Sequence, residues 1–340
     1  MAAQTVQMLS EAEIAPEVWN AVAPPAARSP KLSHDWARCH AEAYSRGGNL
    51  RVIVVGDPAR PAALLPLGVL PGLLRRHRFV DNDDGGLSVP CRDPAALPAL
   101  ADALIRLRVP VDLGYYPADA PLIAELRRAS RGRAITIVRP QEIPAAPWLD
   151  LDPSWADPDQ KLTRNMRQSI RRNERRLTEM GALTVDFHEP AEAEVDALLD
   201  TAIRVEAQSW KDRTGTALAH DARQTAFLRA YARTAARQGR LHITLMSLDG
   251  TAIAMYIGEI YEGVFWGHKT GFDEAYAKFG PGMLLHYHLI REMAARGVSR
   301  FEFQGQLLDY KRRWTEHAVP TSAVRIYPLT PRGLAAIGAD

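Results

Sequence analysis

The chain reads as an α/β protein assembled from two successive copies of one module, and three observations predict this. Residues 50–70 (LRVIVVGDPARPAALLPLGVL) are an apolar run, a Gly56-Asp57-Pro58 turn and a second apolar run, which is the pattern of a hairpin. Residues 241–260 repeat the pattern around Asp249-Gly250, a pair favoured at the tip of two-residue hairpins. Each hairpin is followed by a helical pattern and then an apolar strand. Leu50 and Val111 are 61 positions apart, Leu241 and Phe301 60.

The remaining elements follow in order. Residues 6–9 read as a strand, and 16–22 and 33–44 as helices, the second with Ser33 at its N-cap. After the first hairpin come a polar loop at 81–86 (DNDDGG), a helix over 94–107, a strand at 109–113, a helix at 120–129 and a strand at 134–138. No period survives in 140–148 (PQEIPAAPW), which sets the expected domains at 1–143 and 144–340. In the second copy a strand at 264–268 leads to Gly280-Pro281-Gly282, read as a non-helical turn. A helix is expected from Met283, carrying Leu284, Tyr287, Leu289, Ile290, Met293 and Ala294 near helical spacing, then a strand at 299–303. A glycine loop opening into a helix turns unpaired backbone N–H groups and the positive end of the helix dipole outward. Such a place suits a phosphate or pyrophosphate, with Gly280, Pro281, Gly282 and Met283 around it.

Composition narrows the function classes. The 340 residues are 46% hydrophobic and 24% charged, enough for two globular domains of ordinary size. Net charge is +2 on 42 basic and 40 acidic groups, so no global field argues for DNA. Cys39 and Cys91 fit no metal or redox spacing, which points to a reducing compartment and a cytoplasmic protein. The first residues lack the basic start and apolar run of a secretory signal, and no apolar window is long enough for an ordinary membrane span. Oligomeric state is not written in the pattern.

Charge is concentrated locally. Residues 161–181 read as a helix with Leu162, Met166, Ile170 and Leu177 on one arc and Arg164, Arg167, Arg171 and Arg175 on another. Lys161, Arg172 and Arg176 flank the second arc, and Glu174 is the one acid before Leu177. A solvated face would look like this, and so would a surface for a nucleotide-bearing cofactor, an anionic polymer or RNA, with Arg167 and Arg171 central. The run holds no aromatic residue on which a base could stack.

The ordered set made by the arginine-rich helix, 209-SWK-211, the second hairpin, Tyr276 with Gly280-Pro281-Gly282, and 301-FEFQGQLLDYKRRW-314 resembles the GNAT-like acyltransferase family associated with cellulose and exopolysaccharide biosynthesis, related to the Fem-type aminoacyl transferases. The resemblance spans about residues 155–314. It implies tandem GNAT-like domains, each a mixed, mostly antiparallel sheet flanked by helices, with residues 1–140 as a degenerate first copy. It further implies an N-acyltransferase taking its acyl group from an acyl-CoA, or an aminoacyl group from charged tRNA, onto an amine of a small molecule, sugar or peptide. A non-catalytic accessory protein of a biosynthetic pathway is the third reading. The family's R/Q-x-x-G-x-G/A signature is altered: Ala277 stands at its first position, and Pro281 has no N–H.

Acyl transfer to an amine requires a polarised carbonyl, a neutral attacking nitrogen and a protonated leaving group. Lys311 is the candidate for the oxyanion and Tyr310 for the proton donor, with Glu259 and His268, at strand ends, as alternatives for the general base. Trp210, Lys211, Glu302 and Gln304 are the candidates on the acceptor side. His286 and His288 lie two apart on a helix and so face different ways, and no metal is expected. The motifs HExxH, CxxC, GxSxG and the Walker loop do not occur.

Overall fold

A computed structural model of the chain describes residues 4–44, 50–70, 76–80, 86–209, 218 and 221–338. Residues 81–85 of the expected polar loop, and the acceptor-side candidates Trp210 and Lys211, lie outside the described residues. Two compact units emerge. One comprises Met1–Pro147, Gly305–Leu308 and Ala318–Asp340, the other Trp148–Gln304 and Asp309–His317.

The first unit is built on strands β1 (Val6–Leu9), β2 (Arg51–Asp57), β3 (Arg60–Leu70), β4 (Arg76–Phe79), β5 (Val111–Pro117) and β6 (Ala134–Pro140). β1 to β4 run antiparallel in chain order, and β4 meets β5 in a parallel pair at His77↔Val111 and Arg78↔Asp112. The C-terminal strand Thr321–Pro328 is inserted between β5 and β6, antiparallel to both. A continuous second domain from 144 to 340 therefore does not describe the chain, because its last strand completes the first sheet. That pairing satisfies two strand edges at once, a long-range gain that local sequence pattern does not display. Helices Leu97–Arg106 and Pro121–Ser130 cover an apolar core containing Ile53, Leu65, Phe79, Leu100 and Leu126.

The second sheet has the order β7 (Trp148–Asp150), β12 (Arg300–Glu302), β11 (Val264–Phe272), β10 (Thr251–Tyr261), β9 (Leu241–Leu248), β8 (Leu183–His188). Strands β8 to β11 are antiparallel in chain order, and β11 meets β12 in a parallel pair. Strands β1–β5 of the first sheet and β8–β12 of the second thus share one order and one parallel junction. Both units are mixed, mostly antiparallel sheets flanked by helices, as in tandem GNAT-like domains. The Asp249-Gly250 hairpin tip takes positive φ at both residues (48° and 77°), as the pair foretold.

The helix over the β10–β11–β12 face is Pro281–Ala295, so it begins two residues before the expected Met283. Gly280 is its N-cap, at φ 59° in the left-handed region that favours glycine. Pro281 occupies the first helical position, where its fixed φ suits the helix and its missing N–H leaves no bond unmade. Leu284, Leu285, Leu289, Ile290 and Met293 are fully buried in the core with Phe265 and Phe301.

The two copies differ at the corresponding place. In the first unit the Gly86 N–H donates to Tyr115 C=O on β5 (2.9 Å) and the Leu64 N–H on β3 donates to Pro90 C=O (3.0 Å). The Val89 N–H donates to the Tyr116 hydroxyl at 3.0 Å, and burial pushes that phenol up to about 12. Segment 86–91 is therefore bonded to strands on both sides, and the sheet is closed there. Tyr116→Phe should strand a buried N–H and lower unfolding stability by about 1–3 kcal/mol. A urea denaturation midpoint equal to wild type would contradict this assignment.

Candidate functional site

In the second unit the parallel β11–β12 pairing holds for three residues only: Val264↔Arg300, Phe265↔Phe301 and Trp266↔Glu302. β12 then ends, while β11 continues six residues further to Phe272 along β10. The two strands separate, and beyond Trp266 this edge of β11 meets no further strand among the described residues. A pocket of about 190 Å³ lies beyond the separation. It is lined by Thr270 and Phe272 of β11, by Gly280, Gly282, Met283 and His286 at the helix start, and by Tyr310, Arg313 and Trp314.

Glycine lets the helix start approach the strand end: a Cβ on Gly282 would lie 3.1 Å from the Phe272 ring. The helix N-terminus itself offers fewer donors than expected. Pro281 has none, and the N–H groups of Met283 and Leu284 both turn back to Gly280 C=O, at 3.0 and 3.1 Å. This leaves the Gly282 N–H as the first-turn donor without an intrahelical acceptor. Positive side chains surround the loop instead. The Arg176 guanidinium and the Lys278 ammonium lie 4.8 and 5.0 Å from the Phe279 ring centre, and Arg313 Nη1 lies 3.6 Å from Met283 Sδ.

The two arginines singled out from the basic helix are engaged elsewhere. Arg167 donates to the carbonyls of Asp159 (2.8 Å) and Leu162 (2.9 Å), and Arg171 pairs with the Asp159 carboxylate at 2.5 Å. The helix, Arg164–Thr178, is docked through these bonds and through Glu174, which His288 holds at 3.0 Å and below the usual carboxylate range. Among its bases, Arg176 is the one placed against the glycine loop.

Tyr310 and Lys311 sit on the short helix Asp309–Arg312. Tyr310 is 39% exposed and lines the pocket. Lys311 is buried, and its ammonium donates to the carbonyl of Gln304, a residue in the left-handed region at φ 56°. Its Nζ also lies 5.5 Å from the Tyr310 ring centre. Lys311 thus ties the turn after β12 to the helix bearing Tyr310.

Glu259 and His268 meet on the opposite face of the sheet. The β10–β11 register skips His268, pairing Gly258 with Gly267 and Ile257 with Lys269. This bulge re-aims the imidazole, whose Nε2 lies 2.9 Å from Glu259 Oε1. The same carboxylate accepts from Tyr231 (2.7 Å) and Arg240 (2.6 Å) and is fully buried. Burial, more than any neighbour, pushes the Tyr231 phenol well above its ordinary value. A carboxylate so enclosed has the surroundings of a structural anchor between β10, β11 and helix Ala222–Arg237.

Glu302 is the last paired residue of β12, and across the strands it is level with Trp266 and Glu259. It is 7% exposed, and burial raises its carboxyl to about 8, against the pull of Arg300 and with a further push from Asp150. The acid stands at the point where the strands part. His286, Trp266, Arg176 and Arg313 were not singled out as site residues from sequence, since each acquires its position through tertiary contact. Among the described residues no cluster of three or more His, Cys, Asp or Glu could hold a metal ion, and no helix is long and apolar enough to cross a membrane.

Comparison with known proteins fits this geometry. Residues 164–312 match the acetyltransferase (GNAT) domain family. Comparison with curated proteins finds no match. Among solved structures, FemX superposes with a TM-score of 0.59 at 12% identity, covering 97% of this chain and 99% of that one. A conserved protein of unknown function from Bacteroides thetaiotaomicron gives 0.56 at 12%, covering 96% and 100%. A tandem GNAT protein from the clavulanic acid biosynthesis pathway gives 0.54 at 13%, covering 96% and 99%.

Glu302 yields a test by linkage. Its carboxyl titrates near 8 when folded and in the ordinary range near 4 when unfolded, so the folded chain holds an extra proton between those values. Stability should fall as pH rises through that window, and Glu302→Gln should remove this loss. The variant is expected to melt above wild type at pH 9, with the difference shrinking toward pH 5. Parallel melting profiles from pH 5 to 9 would contradict the assignment. By its architecture, and by the domain match over 164–312, the chain has the GNAT fold in tandem.

Proposed function

We propose that the second unit transfers an acyl group from an acyl-CoA thioester to an amine of a small molecule, sugar or peptide. The observation that carries this reading is the separation of β11 from β12 beside a glycine-led helix start, with Tyr310 lining the pocket beyond it. The donor's phosphates would lie against Arg176, Lys278, Arg313 and the Gly282 N–H, compensating for Ala277 and Pro281. The acyl end enters the wedge from the helix face, and the amine approaches from the face of Glu302 and Trp266.

In the reaction the amine nitrogen attacks the thioester carbonyl, a C–N bond forms and the C–S bond breaks. The amine's proton passes to the Glu302 carboxylate, and the departing thiolate takes the Tyr310 phenol proton. Lys311 acts through position, holding the Gln304 carbonyl and the Tyr310 helix. Glu259 and His268 hold the sheet behind the site. Trp210 and Lys211 belong to the acceptor side in this reading. Cys39 and Cys91 are free thiols, which supports a reducing, cytoplasmic setting.

Aminoacyl-tRNA is the second reading of the donor. The supporting observation is that Arg164 and Arg172 are exposed and form no ion pair among the described residues. The two donors are told apart by binding. Acyl-CoA in hundredfold excess over Kd should raise stability by about 2.7 kcal/mol in a thermal shift. A tRNA donor would instead bind with a steep salt dependence that Arg164→Ala and Arg172→Ala weaken. With the acyl-CoA donor, Tyr310→Phe should lower kcat roughly a hundredfold. The wild-type kcat/KM should rise with pH to a plateau above about 8, and Glu302→Gln should abolish that rise. Absence of a thermal shift with short- and long-chain acyl-CoA alike would overturn the acyl-CoA reading.

A further inference from the structure

We infer that the first unit carries a binding site of its own, for the carboxylate of a small molecule with an apolar or aromatic body. Every residue lining it belongs to the first unit.

The site lies on the face of the first sheet turned away from helices Leu97–Arg106 and Pro121–Ser130. Val324 and Ile326 of the C-terminal strand and Val138 of β6 pack into the core beneath those helices. Ala323, Arg325, Ile137 and Arg139 alternate with them and turn to the other side. The register sets Tyr115, Ala323 and Arg139 in one row across three strands. Ala323 is the short member between two long ones, and a pocket of about 210 Å³ opens over it. Helix Pro331–Gly338 returns along the C-terminal strand and supplies a wall through Ile337. Gly333 permits that return, because a Cβ there would overlap the Pro328 carbonyl.

The polar lining is cationic. Arg139, Arg325 and Gln141 contribute to it, and no acid does. Between the pairs Ala323↔Tyr115 and Arg325↔Asp112, β5 spends three residues against two, with Gly114 at φ 69°. This bulge brings Asp112 level with Arg325. The Asp112 carboxylate is already engaged, accepting from Arg78 at 3.0 Å and from the Gly114 N–H at 2.8 Å, while Arg325 Nε stands 3.9 Å away. Arg139 forms no ion pair among the described residues. Three arginines therefore face one carboxylate, an excess of two positive charges. Gln141 is held beside Arg139 by its bond to that residue's carbonyl, at 3.2 Å.

These surroundings select the ligand. A planar guanidinium fork matches a carboxylate through two parallel N–H donors. Ile137, Ile337 and the Tyr115 ring line the same pocket, and they suit hydrocarbon better than the further charges of a phosphate. The ammonium of an α-amino acid would meet arginines and no acid. The volume is below the roughly 300–1,000 Å³ of sites for drug-sized ligands, so the body is small. A short-chain or single-ring monocarboxylate meets every condition.

The test is calorimetric titration of the full chain with benzoate and hexanoate, each against its neutral amide, and with inorganic phosphate. At least one carboxylate should bind about tenfold tighter than its amide, and tighter than phosphate. Arg139→Gln, at an exposed position, should weaken that carboxylate about tenfold. Ala323→Leu, which fills the floor of the pocket, should remove its binding; should that variant fail to fold, Arg139→Gln decides alone. Excess coenzyme A should leave the carboxylate affinity unchanged. Absence of binding by both carboxylates, phosphate bound as tightly as either, or an affinity that survives both substitutions would overturn the inference. Competition by coenzyme A would overturn it too, by moving the carboxylate to the donor pocket. The transfer reading stands or falls separately, on the thermal shift with acyl-CoA.

Discussion

Three residues of parallel pairing, Val264–Trp266 against Arg300–Glu302, set the geometry on which the rest of the second unit depends. Parallel strands joined through a helix pair only where the crossover brings them level. Here the crossover runs through the loop before Gly280, the helix Pro281–Ala295 and a tight turn to Arg300. The pairing stops after Glu302, and β11 keeps its other edge on β10. The open side of β11, the start of the helix and the side chains of 310–314 then enclose a pocket. The first unit repeats the strand order but bonds segment 86–91 across the equivalent place, so the two copies differ in whether the sheet is closed.

The chemistry divides between the faces of the sheet. On the helix face, Tyr310 and His286 are held among aromatic rings, with the cations Arg176, Lys278 and Arg313 farther out. On the other face, Glu259, Trp266 and Glu302 share one row across three strands. Two acids in one row have different surroundings. Glu259 accepts from Tyr231, Arg240 and His268, which satisfies its charge, whereas Glu302 has Arg300 Nη1 no nearer than 3.8 Å and burial dominates its titration. Physical environment, rather than residue type or strand position, separates an anchoring carboxylate from one suited to take a proton.

Much of this was legible in the chain. The two hairpins, the order of elements and the duplicated module follow from periodicity and from turn residues such as Asp249-Gly250, which are local signals. The start of the site helix was misplaced because a proline flanked by glycines looks like a helix breaker, yet proline at the first helical position breaks nothing. The swap of Thr321–Pro328 into the first sheet and the parting of β11 from β12 rest on pairings between distant segments, which leave no local trace. Side-chain roles were the least legible. Arg167 and Lys311 looked like free charges until Asp159, Leu162 and Gln304 were placed beside them. His286 drew notice only as one of two histidines unsuited to a metal, because its surroundings, a carbonyl one turn back and four rings from elsewhere, form only in the fold.

The central claim, that the parted strands of the second unit are where the donor enters, is most directly tested by hydrogen–deuterium exchange with and without excess acyl-CoA. Binding in the wedge should slow exchange at residues 267–272 and 280–286, and leave residues 86–91 of the first unit unchanged. Protection confined to the first unit, or ligand binding without protection in either segment of the second, would contradict it.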